Sequence, residues 1–191
     1  RARYRLPAGP RYLIYVGSDD PRKNLATLLR ALAELRRALP DVQLIKVGRA
    51  HFAAERQKLL ALAAQLGIAD AIHWLDDVPE EDLPALYSLA DVCVMPSLYE
   101  GFGFPVLEAM ACGTPVVAAN ASSLPELAGD AGRLFRPGDA GALAEQLRAA
   151  LCLAEPGEHR CSSTLGRSRA FDQYTQIQAT LLNYCTLLEI A

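Results

Sequence analysis

Short apolar runs alternate with longer amphipathic stretches along residues 11–154. The runs at 11–17 (RYLIYVG), 42–48 (VQLIKVG), 71–75 (AIHWL), 91–97 (DVCVMPS), 114–119 (TPVVAA) and 132–135 (GRLF) are rich in β-branched and aromatic residues and are bounded by turn formers, which predicts strands. The run at 91–97 is almost wholly apolar, as expected of a strand covered on both faces. Leucines three and four apart in 24–39 predict an amphipathic helix, with Asn24 as N-cap and Pro40-Asp41 as its break. Further helices are predicted at 53–67, closed by Gly67, at 79–90, which opens on proline and acids, at about 105–112, ending at Gly113, at 122–129 and at 139–154. A polar break at 155–168 precedes a long terminal helix within 169–191.

This alternation predicts an α/β fold: a Rossmann-like parallel sheet of about six strands, helices on both faces and right-handed crossovers. The expected organisation is a linker at 1–10, the sheet domain at 11–168 and a C-terminal helix at 169–191. Ligands of such sheets bind beyond the carboxyl ends of the strands. Three unusual loops, 17–24, 48–52 and 97–105, follow the first, second and fourth strands, so all three face one rim.

Composition narrows the function. Apolar residues make up 51% of 191, which fits a packed core, and the net charge of −3 argues against general nucleic-acid binding. The opening RARYRLPAGPR reads as a solvated basic linker or as one that touches another domain. Five cysteines without a CxxC pair fit a reducing compartment, and three scattered histidines predict no metal site. Without a leader or membrane-spanning run, the expected location is cytoplasmic, with contact at the inner membrane face through a partner domain left open.

The candidate chemistry lies in the loops. GSDDPRKN (17–24) lacks both GxGxxG and the Walker GxxxxGK[ST] patterns. It sets Arg22 and Lys23 beside a helix start, where cations and free N–H groups favour an anion and where the basic charges oppose the helix dipole. In 97–105, Gly101 and Gly103 free the backbone for close approach by a ligand, and Pro105 suits a first helical turn. The amides of Val106 and Leu107 are expected to face the rim. Glu108, expected in the first turn of that helix, reads either as a dipole-favoured charge or as a bidentate acceptor for ribose hydroxyls. Glu100, ahead of the glycines, reads either as a solvated turn residue or as a contact to a sugar.

EGFGFPVLE followed by AMACGTPVVAANASSLPEL, with VGSDDPRKNL upstream, resembles the nucleotide-sugar half of a family 4 retaining glycosyltransferase of the GT-B fold. The Glu-x7-Glu pattern falls at Glu100 and Glu108, and the likeness runs over about residues 11–150. The resemblance implies that Lys23 binds the donor pyrophosphate and offsets the charge of the leaving group, and that Glu100 contacts donor-sugar hydroxyls; these two are the expected catalytic residues. It implies that amides from Gly101, Phe102, Gly103 and Phe104 touch sugar and phosphate, and that Glu108 holds the ribose. Gly17, Ser18, Arg22, Asn24 and Gly48 would line the donor site, and the segment 76–80 would meet the base through backbone near Val78. Two departures stand out. Ser18 occupies a position where many members carry arginine, which places the phosphate charge on Lys23 and Arg22. Only the carboxyl-terminal half of such an enzyme is present, so an amino-terminal acceptor domain, in the same protein or a partner chain, is implied. The implied donor is GDP-mannose or a UDP-sugar, with no other cofactor and no metal, and the acceptor is a glycan or lipid-linked sugar. A GT-B epimerase or hydrolase acting on the nucleotide sugar, and a non-catalytic binding module, stay open as alternatives.

Overall fold

The computed structural model describes residues 1–153, so the predicted terminal helix lies outside the described residues. The chain runs β1 (Arg11–Val16), α1 (Leu25–Ala38), β2 (Val42–Val47), α2 (Ala53–Gln65), β3 (Ile72–Leu75), α3 (Leu83–Leu89), β4 (Val92–Met95), α4 (Phe104–Ala111), β5 (Val116–Ala119), α5 (Leu124–Ala128), β6 (Arg133–Phe135) and α6 (Ala140–Leu153). All six strands are parallel, in the order β3-β2-β1-β4-β5-β6. β4 and β5 are buried along their whole length and β1 at its four central residues. Their apolar runs are therefore continuous rather than alternating, as a sheet covered on both faces requires. On one face α1 packs against α2 and α6; on the other α4 packs against α3 and α5.

Turn chemistry fixes the element ends. Gly67 takes a left-handed φ of +68°, and Gly67 N–H and Ile68 N–H bond Ala64 O and Ala63 O. That is the paired closure expected when glycine follows a helix. Asn24 behaves differently from its predicted role. It is left-handed at the N-cap of α1, with φ 54°, but makes no side-chain cap. Its Nδ2 instead donates to Pro96 O at 3.2 Å, tying the start of α1 to the end of β4, while its Oδ1 accepts from Thr27 Oγ1.

The opening segment is less solvated than its charge suggests. Leu6 is buried, Tyr4 donates its hydroxyl to Asp82, and Arg3 reaches the same carboxylate at 2.7 Å. Among the described residues, no helix is long and apolar enough to cross a membrane, no His, Cys, Asp or Glu cluster could hold a metal, and Cys93, Cys112 and Cys152 are free thiols.

Candidate functional site

The strand order reverses between β1 and β4, and in open α/β sheets the carboxyl ends of the strands at such a reversal are where ligands bind. Lys23 arrives from the loop after β1 and Glu100 from the loop after β4. Lys23 Nζ lies 2.7 Å from each carboxylate oxygen of Glu100, and Ser97 donates its hydroxyl to Oε1 at 2.6 Å. Both partners are well covered, at 15% and 7% exposure. Glu100 is thus no solvated turn residue. Ser122 holds its backbone from both sides, accepting from Glu100 N–H at 3.0 Å and donating to Glu100 O at 2.7 Å.

The basic pair is placed differently from its sequence reading. Pro21–Lys23 form a separate 3-10 turn capped by Asp20, and Arg22 and Lys23 occupy its last turn. Lys23 nevertheless directly precedes Asn24, the N-cap of α1, so the dipole of that longer helix still opposes its charge. Arg22 turns back to Asp20, with Nε 3.0 Å from Oδ2, and its backbone O accepts from Leu98 N–H at 2.8 Å. Lys23 alone of the two points at the carboxylate of the opposite loop.

α4 begins at Phe104 with Gly103 as its N-cap and Pro105 in its first turn. Val106 N–H is bonded to Gly103 O at 3.0 Å within the first turn. Val106 and Leu107 bury their side chains in the core, and Pro105 has no N–H. The amides at Gly103 and Phe104 stand ahead of the first helical bonds. Phe104 leaves its ring partly exposed against Phe102, with centroids 4.8 Å apart.

Glu108 sits in the second turn of α4, beyond the region where the helix dipole helps a carboxylate. Burial pushes its carboxyl group up from the ordinary range, and the Tyr87 hydroxyl, donating to Oε2 at 2.8 Å, partly offsets this. A carboxylate held in such a place is short of hydrogen-bond donors.

The two glycines of the turn have different causes. Gly103 has φ +103°, and an added Cβ would lie 2.9 and 3.0 Å from Leu127 and Leu124. Gly101 has no such φ and open space where a Cβ would point. Gly103→Ala is therefore expected to lower stability by about 1–3 kcal/mol, and Gly101→Ala by no more than about 0.5 kcal/mol. Denaturant unfolding of the two variants checks this.

A second constellation underlies the rim, and no sequence expectation named it. Asp19 is buried between two cations: its Oδ1 is 2.6 Å from Lys46 Nζ and its Oδ2 is 2.6 Å from Arg56 Nε. Arg56 extends over the Trp74 ring at 4.4 Å and forks onto Asp76, with contacts of 2.7 and 3.3 Å. Lys46 also donates to Gly48 O at 2.5 Å. The network thereby pins the loops after β1, β2 and β3 to one another. Gly17 and Gly48 let the first two abut, since a Cβ on Gly48 would lie 2.6 Å from Gly17 O. Beside this network, Gly48, Arg49, Asp76, Asp77, Val78 and Pro79 line an open cleft of about 500 Å³. One signal was available in the sequence: a lysine inside the apolar run VQLIKVG is buried only if a carboxylate meets it.

The model of the family described as glycosyl transferases group 1 matches residues 1–163. The chain belongs to that family. It is 42% identical over 141 residues to O-antigen chain mannosyltransferase B of Escherichia coli, a match covering 71% of this chain and 35% of the relative. It is 34% identical over 183 residues to the GDP-mannose-dependent alpha-(1-6)-phosphatidylinositol monomannoside mannosyltransferase of Mycolicibacterium smegmatis, covering 91% of this chain and 46% of the relative. Among solved structures, sucrose-phosphate synthase from Thermosynechococcus elongatus superposes with a TM-score of 0.79 at 34% identity, covering all of this chain and 49% of that one. The chain thus spans less than half the length of each of these relatives.

Within this group 1 glycosyltransferase chain, five of the predicted residues fall into two groups. Lys23 and Glu100 meet at the strand-order reversal, with Asn24 beside them and with Ser97, which the sequence reading did not name, bonded to Glu100. Gly48 and Val78 share the cleft beyond β2 and β3. Ser18 contributes a backbone oxygen, which accepts from the buried Tyr15 hydroxyl at 3.1 Å.

Proposed function

We propose that the chain is the donor-binding half of a retaining glycosyltransferase that moves a hexose from a nucleotide sugar to a glycan or lipid-linked acceptor. The observation that carries this reading is the Lys23–Glu100 pair, covered from solvent at the reversal point of the sheet. An ammonium group has three N–H donors. Two rest on Glu100, which fixes the position of Lys23 and leaves the third for a diphosphate oxygen. The amides at Gly103 and Phe104 supply a second set of donors from the start of α4. Together they would stabilise the charge that develops on the nucleoside diphosphate as the glycosidic bond breaks, a task these groups can do without a metal ion.

The remaining roles follow the order of the groups along the rim. Glu100 stands where a sugar attached to that diphosphate would begin, and its carboxylate would accept from sugar hydroxyls. Gly101, with open space around it, lets the sugar approach the backbone. Glu108, short of donors, would take the two ribose hydroxyls. The cleft at Gly48 and Val78 has room for a base. The dependence of one relative on GDP-mannose, at 34% identity over most of this chain, supports a nucleotide-sugar donor. An amino-terminal domain, in the same protein or a partner, would hold the acceptor, and residues 1–10 would be the link to it. Contact with the inner face of a membrane would come through that domain.

The 191-residue chain should bind a nucleoside diphosphate and transfer no sugar, because every group assembled here lies on the donor side. Calorimetry and a transfer assay with nucleotide sugar and candidate acceptors test both halves. Transfer above the buffer rate by this chain alone would refute the division of labour.

A further inference from the structure

We propose that the base taken into the cleft is guanine, and that Asp77 and Arg49 read its edge; the proposal rests on the donor reading above. Both side chains line the cleft and both are largely exposed, at 73% each. Arg49 Nε donates to Asp77 Oδ1 at 2.7 Å. That single bond holds the two groups side by side. The two terminal amino groups of the guanidinium and the Oδ2 of the carboxylate take no part in that bond. The neighbouring Asp76 is no substitute, because Arg56 occupies both its oxygens. An exposed ion pair of this kind adds only about 0–1 kcal/mol to stability.

The pair presents acceptors next to donors. Guanine offers the complement: the 2-amino group and N1–H donate, and the adjacent O6 and N7 accept. The Asp77 carboxylate can accept from the first two while the Arg49 fork donates to O6. Uracil presents a single N–H between two carbonyl oxygens, so a carboxylate that reaches the N–H also faces an oxygen. Adenine likewise sets one donor between two acceptors, and cytosine offers no pair of adjacent donors. Of the four bases, guanine alone matches a carboxylate abutting a guanidinium.

The test is calorimetric titration of the 191-residue chain and its Asp77→Asn variant with GDP, UDP and inosine diphosphate, which is GDP without the 2-amino group. Wild type should bind GDP roughly tenfold or more tighter than UDP, and tighter than inosine diphosphate. Asp77→Asn should weaken GDP about tenfold, leave UDP within about twofold and close the gap between GDP and inosine diphosphate. Because Asp77 is exposed, its melting temperature should not change. UDP binding as tight as GDP, inosine diphosphate equal to GDP on wild type, or equal losses for GDP and UDP in the variant would each overturn the base assignment and leave the donor reading standing. Failure of all three to bind would remove the donor reading and this inference together.

Discussion

Asparagine at position 19 lowers the stability of the domain by about 3–5 kcal/mol at neutral pH, the scale for removing one member of a buried charge pair. Asp19 and Lys46 have fully buried side chains, and Asp19 also accepts from Arg56. The amide keeps the shape of the carboxylate but cannot balance two cations. Burial already holds the Lys46 ammonium below its ordinary range, and Asp19 is the main group opposing that shift. Without Asp19 the shift deepens. The folded state then binds fewer protons than the unfolded chain between the lowered pKa of Lys46 and its ordinary value, so stability rises with pH across that window. The deficit of Asp19→Asn is therefore largest at neutral or lower pH and shrinks in alkaline solution. Adding Lys46→Met should restore much of the loss, since an apolar replacement of the whole pair is often neutral. Urea unfolding of the single and double variants at neutral and alkaline pH measures this. A deficit under about 1 kcal/mol, or one that does not depend on pH, would mean that the rim loops are held by something else.

Replacing Glu108 with glutamine separates stability from binding, because the two should move in opposite directions. The carboxyl group is shifted upward by burial, so the folded chain holds its proton to higher pH than the unfolded chain does. Its contribution to stability is fully present below the ordinary glutamate range and is lost as pH rises through the folded value. At neutral pH the ionised group is a cost. Glutamine removes that cost and keeps an oxygen for the Tyr87 hydroxyl, so the variant should melt no earlier than wild type at neutral pH. A ribose held by two hydrogen bonds to a charged acceptor would lose about 1–3 kcal/mol when the acceptor becomes neutral. Calorimetry with a nucleoside diphosphate and melting curves at neutral pH decide it. Normal binding with early melting would make Glu108 a structural residue of α4 and nothing more.

The sheet was legible in the sequence because its strands are covered on both faces. The strand core VCVM within DVCVMPS has no polar position that could mislead, and helices separate such runs along the chain. The boundaries moved by a few residues where local bonding overrode composition: 80–82 is a 3-10 turn ahead of α3, although proline and acids there suggest a helix start. Lys23 and Glu100 were identifiable as chemistry-bearing residues, but not as partners. They are 77 positions apart, and only the adjacency of β1 and β4 brings them together. The same holds for Asp19, Lys46, Arg56 and Asp76, which come from four elements and have no spacing to reveal them. Arg22 looked equivalent to Lys23 in sequence, yet Asp20, two residues before it, is near enough to claim it.

The central claim is that a diphosphate lies between Lys23 and the start of α4. A crystal structure of the 191-residue chain with a bound nucleoside diphosphate tests it most directly. The account predicts a phosphate oxygen about 3 Å from Lys23 Nζ and from the amides at Gly103 or Phe104, with the base in the cleft at Val78. A nucleotide bound elsewhere, with Lys23 and Glu100 still paired and no phosphate near them, would contradict it.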